Sequence, residues 1–299
     1  MEIWDRTALD ARLSIGDAIE ALEDAFRSGL PTTPTREHHS MPAGDLLVMP
    51  AYGDEGAGVK LVTVAQGNPE RGLPLINGIY VLFDNLTLRL RALIDAAALT
   101  SIRTAAVSGV ATRHLAHPDA SSLLVFGSGA QAAEHVEAML YVRPIDRVVI
   151  VGRNPSRAGS LADRLIARGV HARTGSTEDV SDADVVCCCT TSPTPLFPGA
   201  LIRPGTHVNA VGSYKPDRRE LDGETMRRAR VVVESIQTAV REAGEIVIAI
   251  GEGVLEAEGL SELEAVVKGK ALVSDGDVTV FKSVGAGYQD LVVALAACR

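Results

Sequence analysis

Residues 127–132 read Gly-Ser-Gly-Ala-Gln-Ala, a G-x-G-x-x-A pattern. A short apolar run, Leu123 to Phe126, leads into it and a helical stretch leads out. In that context each small residue has a task. Gly127 allows a tight turn, Gly129 lets the backbone approach a pyrophosphate, and Ala132 lets the helix lie close to the strand. The phosphates would meet the unsatisfied N–H groups at the start of the helix. A merely structural strand–turn–helix is the alternative, because glycine pairs are common in turns.

The end of the next apolar run selects among dinucleotides. RVVIVGRNPSR places Gly152, Arg153 and Asn154 where an NAD site usually carries an acid for the ribose hydroxyls. No Asp or Glu is present there. Arg153, with Arg157 nearby, can pair with a 2′-phosphate, so NADP(H) is favoured and NAD(H) is the alternative. Read blandly, both arginines are solvated loop charges.

These turns need a scaffold, and the apolar pattern supplies one in two parts. Ile15, Ala18, Ile19, Leu22 and Phe26 recur at helical spacing, with Ser14 and Asp17 as a capping box and Gly29 as a stop. The runs DLLVMPAY, GVKLVTVAQ, LINGIYVLF and LRALID then predict an antiparallel meander. A helix follows in LTSIRTAAVSGVATRHLA and ends before His117-Pro118. From residue 121 the runs SLLVFG, RVVIVG, DVVCCC, HVNAVG and RVVVES are continuous and mostly β-branched, with helical stretches between most of them. That is the pattern of a parallel sheet covered on both faces. After ALVS at 271–274, the tail FKSVGAGYQDLVVALAA reads as helical. The expected fold is therefore α/β: a Rossmann-type doubly wound sheet over 118–284 and an N-terminal α+β domain over 1–117, with a C-terminal helix over 285–299 packing back on the latter.

Bulk properties exclude several classes. The 299 residues suffice for one large or two ordinary domains. With a net charge of −9 and no strongly basic stretch, neither nucleic acid nor a polybasic membrane contact is expected. No apolar run has the length of a membrane span, and MEIWDRTALD is not a signal peptide. A cytoplasmic location is expected. Cys187, Cys188 and Cys189 are consecutive in an apparent strand, so their side chains alternate and cannot converge on one metal ion. No metal is expected.

Five blocks, MPAYGDEGAGVKLVT, RTAAVSGVATRHLA, FGSGAQA, HVNAVGSYKPDRREL and TVFKSVGAGYQDL, together resemble the ornithine cyclodeaminase/mu-crystallin family, nearly end to end. The resemblance implies a homodimer whose N-terminal domain binds substrate and dimerises. It also implies reactions that pass through an imine of an α-amino acid. Carried over by position, Arg36 and Arg103 are the arginines that hold the substrate carboxylate, and Lys60 is the lysine beside the reacting centre. Two guanidinium groups fix the plane of a carboxylate, and a Lys between Val59 and Leu61 is costly to bury without a task. On the cofactor side the resemblance points to Thr104 near the phosphate, to Ala130 and Gln131 in the turn, and to Thr190 and Thr191 toward adenosine. It likewise implies that Asn209, Val211 and Gly212 lie beneath the nicotinamide and that Ser283, Val284 and Gly285 border the ring and substrate.

One position departs from the family. Cyclodeaminases carry an aspartate just after the NAVG-type loop, in a G-G-D-x-P-like context, where this chain has Tyr214. A phenol, with an unperturbed pKa of about 10, is a poor base at neutral pH but can donate a proton. The mu-crystallin-like branch, which resembles imine reductases, lacks that aspartate too. The expected activity is NADPH-dependent reduction of an α-imino acid, such as a cyclic pyrroline- or piperideine-2-carboxylate, with Lys60 or Tyr214 as the proton donor. Amino-acid deamination of the ornithine cyclodeaminase or alanine dehydrogenase kind is the alternative. A non-enzymatic binding protein is a lesser one.

Overall fold

Along Gly44–Gly53, Asp45, Leu47, Met49 and Ala51 are buried and the residues between them are not. This is the alternation of a strand with one packed face. A computed structural model describes residues 1–271, 274 and 276–299. They form two compact units, Met1–Thr104 with Gly285–Arg299, and Ala105–Val284.

The first unit holds a six-stranded sheet in the order β1-β6-β5-β4-β3-β2, counted among the described residues. Its strands are β1 (Glu2–Trp4), β2 (Glu37–Met41), β3 (Gly44–Gly53), β4 (Gly56–Val64), β5 (Ile76–Phe83) and β6 (Leu90–Asp95). β3 to β6 are the expected antiparallel meander. Cross-strand register sets Met49 opposite Lys60, Lys60 opposite Tyr80 and Tyr80 opposite Ile94, all buried on one face. The edges β1 and β2 were not foreseen. Every residue of β2 is exposed and only Trp4 of β1 is buried, so neither carries a hydrophobic period to read.

After α1 (Arg6–Asp10), helix α2 (Ile15–Ser28) starts with the expected capping box: Asp17 N–H donates to Ser14 Oγ at 3.1 Å, and Ser14 N–H to Asp17 Oδ2 at 3.1 Å. It buries Ala18, Ile19, Leu22 and Phe26. Helix α3 (Ala96–Leu115) begins where Asp95 accepts N–H bonds from Ala97 and Ala98. The two units divide inside α3, at Thr104/Ala105, while the pattern of the sequence changes near residue 118. The chain returns to the first unit through a C-terminal helix, Gly287–Ala296, whose Tyr288 ring meets Phe26 edge-on at 5.8 Å.

The second unit is the doubly wound parallel sheet. Its strands are β7 (Ser122–Phe126), β8 (Arg147–Val151), β9 (His171–Thr174), β10 (Val185–Cys188), β11 (His207–Ala210), β12 (Ala229–Val233), β13 (Ser261–Glu262) and β14 (Val278–Lys282). The order is β13-β12-β14-β11-β10-β7-β8-β9, so the winding reverses between β7 and β10. Every residue of β7, β10, β11 and β14 is buried, which requires cover on both faces. Helices α4 (Ala130–Val142), α5 (Pro155–Ile166), α6 (Gly223–Arg228), α7 (Ile236–Glu242), α8 (Gly244–Gly251) and α9 (Leu263–Val267) lie between the strands. Cys187 and Cys188 are buried free thiols, and burial pushes Cys187 up to about 12.

One expectation is corrected here. The tail was read as helical from Phe281, yet Val278–Lys282 is a strand inserted between β11 and β12, and helix resumes only at Gly287. A short, wholly buried apolar strand has the same local pattern as one turn of buried helix. Of the run 271–274, Leu272 and Val273 lie outside the described residues.

Candidate functional site

Lys60 points from β4 into the first unit, only 2% exposed. Its Nζ lies 2.9 Å from Asp290 Oδ1 and 2.8 Å from Oδ2, and donates to Thr100 Oγ1 at 3.3 Å. Arg103, one turn beyond Thr100 on α3, places Nε 3.3 Å from Asp290 Oδ1 and donates from Nη1 to Gln289 Oε1 at 2.7 Å. Its guanidinium lies against the backbone of Gly285. That residue has φ +80°, and a Cβ there would fall 2.6 Å from Nη1. Glycine is required on both counts.

Electrostatics tie in the third expected residue. Burial, and then the Arg103 charge, push the Lys60 ammonium down to about 8; Asp290 opposes both, and Arg36 adds to the lowering. Lys60 and Arg103 thus share the Asp290 carboxylate, and the Arg36 charge acts on Lys60. Tyr80, opposite Lys60, is buried, and its Oη has no hydrogen-bond partner among the described residues. Burial and then Asp290 hold its phenol well above the usual range, so it stays protonated. Thr104, also expected at the site, donates its hydroxyl to Thr100 O at 2.7 Å.

Sequence reasoning singled out Lys60, Arg36 and Arg103 but missed Asp290, Gln289 and Thr100. A signal was present. Gln289 and Asp290 interrupt an otherwise apolar helix, GYQDLVVALA, and a buried carboxylate in such a run needs a cation.

In the second unit Gly127 has φ +120°, and a Cβ there would meet Cys189 O at 2.6 Å. Its N–H donates to Val151 O at 2.8 Å, tying the turn to the end of β8. Gly129 is the N-cap of α4 and supplies no side-chain cap, so first-turn N–H groups of a 13-residue helix are offered to an anion. This geometry fits a dinucleotide pyrophosphate held by Gly127, Gly129, Ala130 and Gln131. Gly152 abuts Ser128, which brings the exposed Arg153 to the same turn. Asn154 has a structural task as well: its Oδ1 accepts Arg157 N–H at 3.1 Å and caps α5.

The other expected cofactor residues lie at strand ends. Thr190 and Gly212 are drawn together by Glu220, Val211 N–H donates to Cys188 O, and Thr191 is exposed beside Thr190. Tyr214 follows on the same loop, with the Lys215 ammonium 5.9 Å above its ring. Glu234 holds the last segment: Ser283 Oγ donates to it at 2.6 Å and Val284 N–H at 3.0 Å. Asn209 lies on the strand rather than the loop. Its side chain is fully buried within β11, donating to Thr112 Oγ1 at 2.9 Å and standing 3.3 Å from His207 Nε2.

Comparison with known proteins places these features. The sequence profile of the ornithine cyclodeaminase/mu-crystallin family matches residues 3–297. A Delta(1)-pyrroline-2-carboxylate reductase of Bacillus cereus is 38% identical over 257 residues, covering 83% of this chain and 79% of the relative. The structure of Thermococcus litoralis Delta(1)-pyrroline-2-carboxylate reductase in complex with NADH and L-proline superposes with a TM-score of 0.94 at 33% identity, covering 99% of this chain and 96% of that one. An archaeal alanine dehydrogenase dimer with bound NAD gives 0.93 at 31% identity, covering 99% and 94%.

Proposed function

The chain belongs to the ornithine cyclodeaminase/mu-crystallin family, and we propose that it is a nicotinamide-dinucleotide-dependent reductase of an α-imino acid. The substrate is a cyclic ketimine such as pyrroline- or piperideine-2-carboxylate, and the product is the saturated amino acid. The observation that carries this reading is the buried cluster of Lys60, Arg103 and Asp290, with Arg36 in its field. Delta(1)-pyrroline-2-carboxylate reductases among its relatives, one of them solved with NADH and L-proline, support it.

Arg36 and Arg103 hold the substrate carboxylate in a fixed plane, which lowers the entropic cost of reaction at the adjacent C=N carbon. The Lys60 ammonium, with an acidity near neutrality, gives a proton to the imine nitrogen. Asp290 keeps Nζ in place and remains its counter-charge afterwards. A reduced nicotinamide, when bound, supplies the hydride to the carbon. Gly127, Gly129, Ala130, Gln131, Thr190, Thr191, Val211, Gly212, Ser283 and Val284 would hold it, Asn209 stiffens β11, and the family resemblance assigns Thr104 to its phosphate. Tyr214 is the second proton donor to test.

Arg153 follows the end of β8 in a stretch, 152–157, that holds no acid, so NADPH is the preferred reductant and NADH the weaker one. A homodimer forms through the outer face of the first sheet. There Val48, Leu61 and Ile79 form one apolar row across the strands, and Val59, Val81 and Leu93 form the next. Leu61 and Ile79 are 37% and 36% exposed. No helix among the described residues is long and apolar enough to cross a membrane, and four free cysteines suit the cytoplasm.

The test is oxidation of NADPH and NADH against five- and six-membered cyclic ketimines and against 2-oxo acids mixed with ammonia or methylamine. Ornithine is run in parallel. Turnover of an imine supports the reductase. Proline formed from ornithine without imine turnover would replace this reading with a cyclodeaminase.

A further inference from the structure

Glu220 lies in the loop after β11, fully buried, and no step above uses it. Its carboxylate accepts three bonds from two separate loops. Oε1 takes Thr190 N–H at 2.8 Å and Thr190 Oγ1–H at 2.7 Å, from the loop after β10. Oε2 takes Gly212 N–H at 2.8 Å, from the loop after β11. The fit is close: a Cβ at Gly212 would meet Glu220 Oε1 at 2.7 Å and Thr190 O at 2.0 Å.

A second layer fixes the clamp itself. Glu220 N–H donates to Glu245 Oε1 at 2.8 Å, and Glu245 Oε2 pairs with Lys282 Nζ at 2.8 Å. Lys282 Nζ also donates to Ser213 O, next to Gly212. Glu245 and Lys282 are as buried as Glu220. Two carboxylates and one ammonium, shut away from water on a loop, on α8 and on β14, are expensive to assemble for packing alone.

We infer that Glu220 is a positioning residue for the dinucleotide, an anionic clamp that locks the Thr190 and Gly212 loops in their binding arrangement. The inference rests on the cofactor reading above. Its chemistry is one-way. Both backbone groups can only donate, so a proton on Glu220 replaces a charged acceptor by a neutral one and weakens the hold on both loops. Burial raises the Glu220 carboxyl to about 7, against the lowering by Lys282 and Thr190, while Glu245 adds to the rise. The Cys188 and Cys189 thiols, which also feel the Glu220 charge, are held well above their usual range by burial and stay neutral. Nucleotide affinity should therefore strengthen as pH rises through about 7.

The measurement is the dissociation constant of NADH and of NADPH for the free enzyme between pH 6 and 8.5, by cofactor fluorescence without substrate. Wild type should bind NADH at least fivefold more tightly at pH 8.5 than at pH 6. NADH carries no group that titrates in this interval. Glu220→Gln should bind about tenfold more weakly at pH 8.5 with a flat profile. A pH-independent wild-type constant overturns the clamp even if Glu220→Gln fails to fold. So does a folded Glu220→Gln that binds like wild type. No binding of either nucleotide by wild type would instead remove the cofactor reading beneath it.

Discussion

Lys60 and Asp290 stand 230 positions apart in the chain, yet Nζ of one lies within 2.9 Å of both carboxylate oxygens of the other. This pair sets the acidity of the proposed proton donor, because burial and Arg103 push Lys60 down while Asp290 pulls it up.

With Lys60 held to about 8, turnover should be constant at lower pH and fall on the alkaline side with a midpoint near that value. Lys60→Arg, too weak an acid to give up its proton, should lose about 100-fold or more in kcat. Stability carries the same signature. The folded value lies below the usual 10.5, so the stability that Lys60 contributes is present above about 10.5 and is lost as pH falls through about 8. The melting temperature of wild type minus that of Lys60→Met should therefore be more positive at pH 10 than at pH 7. A difference that ignores pH would mean that Lys60 is not held as described.

Asp290→Asn leaves Lys60 and Arg103 without their counter-charge. Breaking a buried pair from one side costs about 3–5 kcal/mol, so urea unfolding should show a loss of that order. In the fraction that stays folded, the alkaline limb of activity should move below pH 8, because the group that raised Lys60 is gone. Movement in the opposite direction would contradict the assignment.

Arg103→Lys keeps the charge but removes the planar fork and the bond to Gln289. A lost charge-assisted hydrogen bond is worth about 1.5–3 kcal/mol, so KM for the imino acid should rise roughly 10- to 100-fold, with kcat changed less. Steady-state kinetics against one ketimine decide it. An unchanged KM would move the carboxylate site elsewhere.

Arg153→Ala should weaken NADPH by about tenfold or more and leave NADH nearly unaffected, because only the former carries the 2′-phosphate. Arg153 is exposed, so its removal should not alter the melting temperature. Equal losses for both nucleotides would remove the NADPH preference.

Much of this site was legible in the sequence because its signals are local. The Gly127–Ala132 turn, the strand before it and the helix after it lie within a short stretch of chain, and that stretch shows the order strand, turn, helix directly. Val59-Lys60-Leu61 announces a lysine in a strand. Which way its side chain points came only with the burial pattern of β4. Asp290, Gln289 and Glu220 were harder, since a lone acid in an apolar stretch shows only that a partner exists.

Composition, period and turn chemistry determined the α/β class, the meander, the parallel sheet and the glycine turn, because each depends on contacts between near neighbours in the chain. Only the tertiary structure decided three other things. It placed the last strand between β11 and β12, which local pattern could not separate from helix. It brought Asp290 to Lys60 and Arg103, and so fixed an acidity that depends on distance through a low-dielectric interior. It also gathered Glu220, Glu245 and Lys282 from three elements into one clamp. Charges interact through space, and the sequence alone does not state those distances.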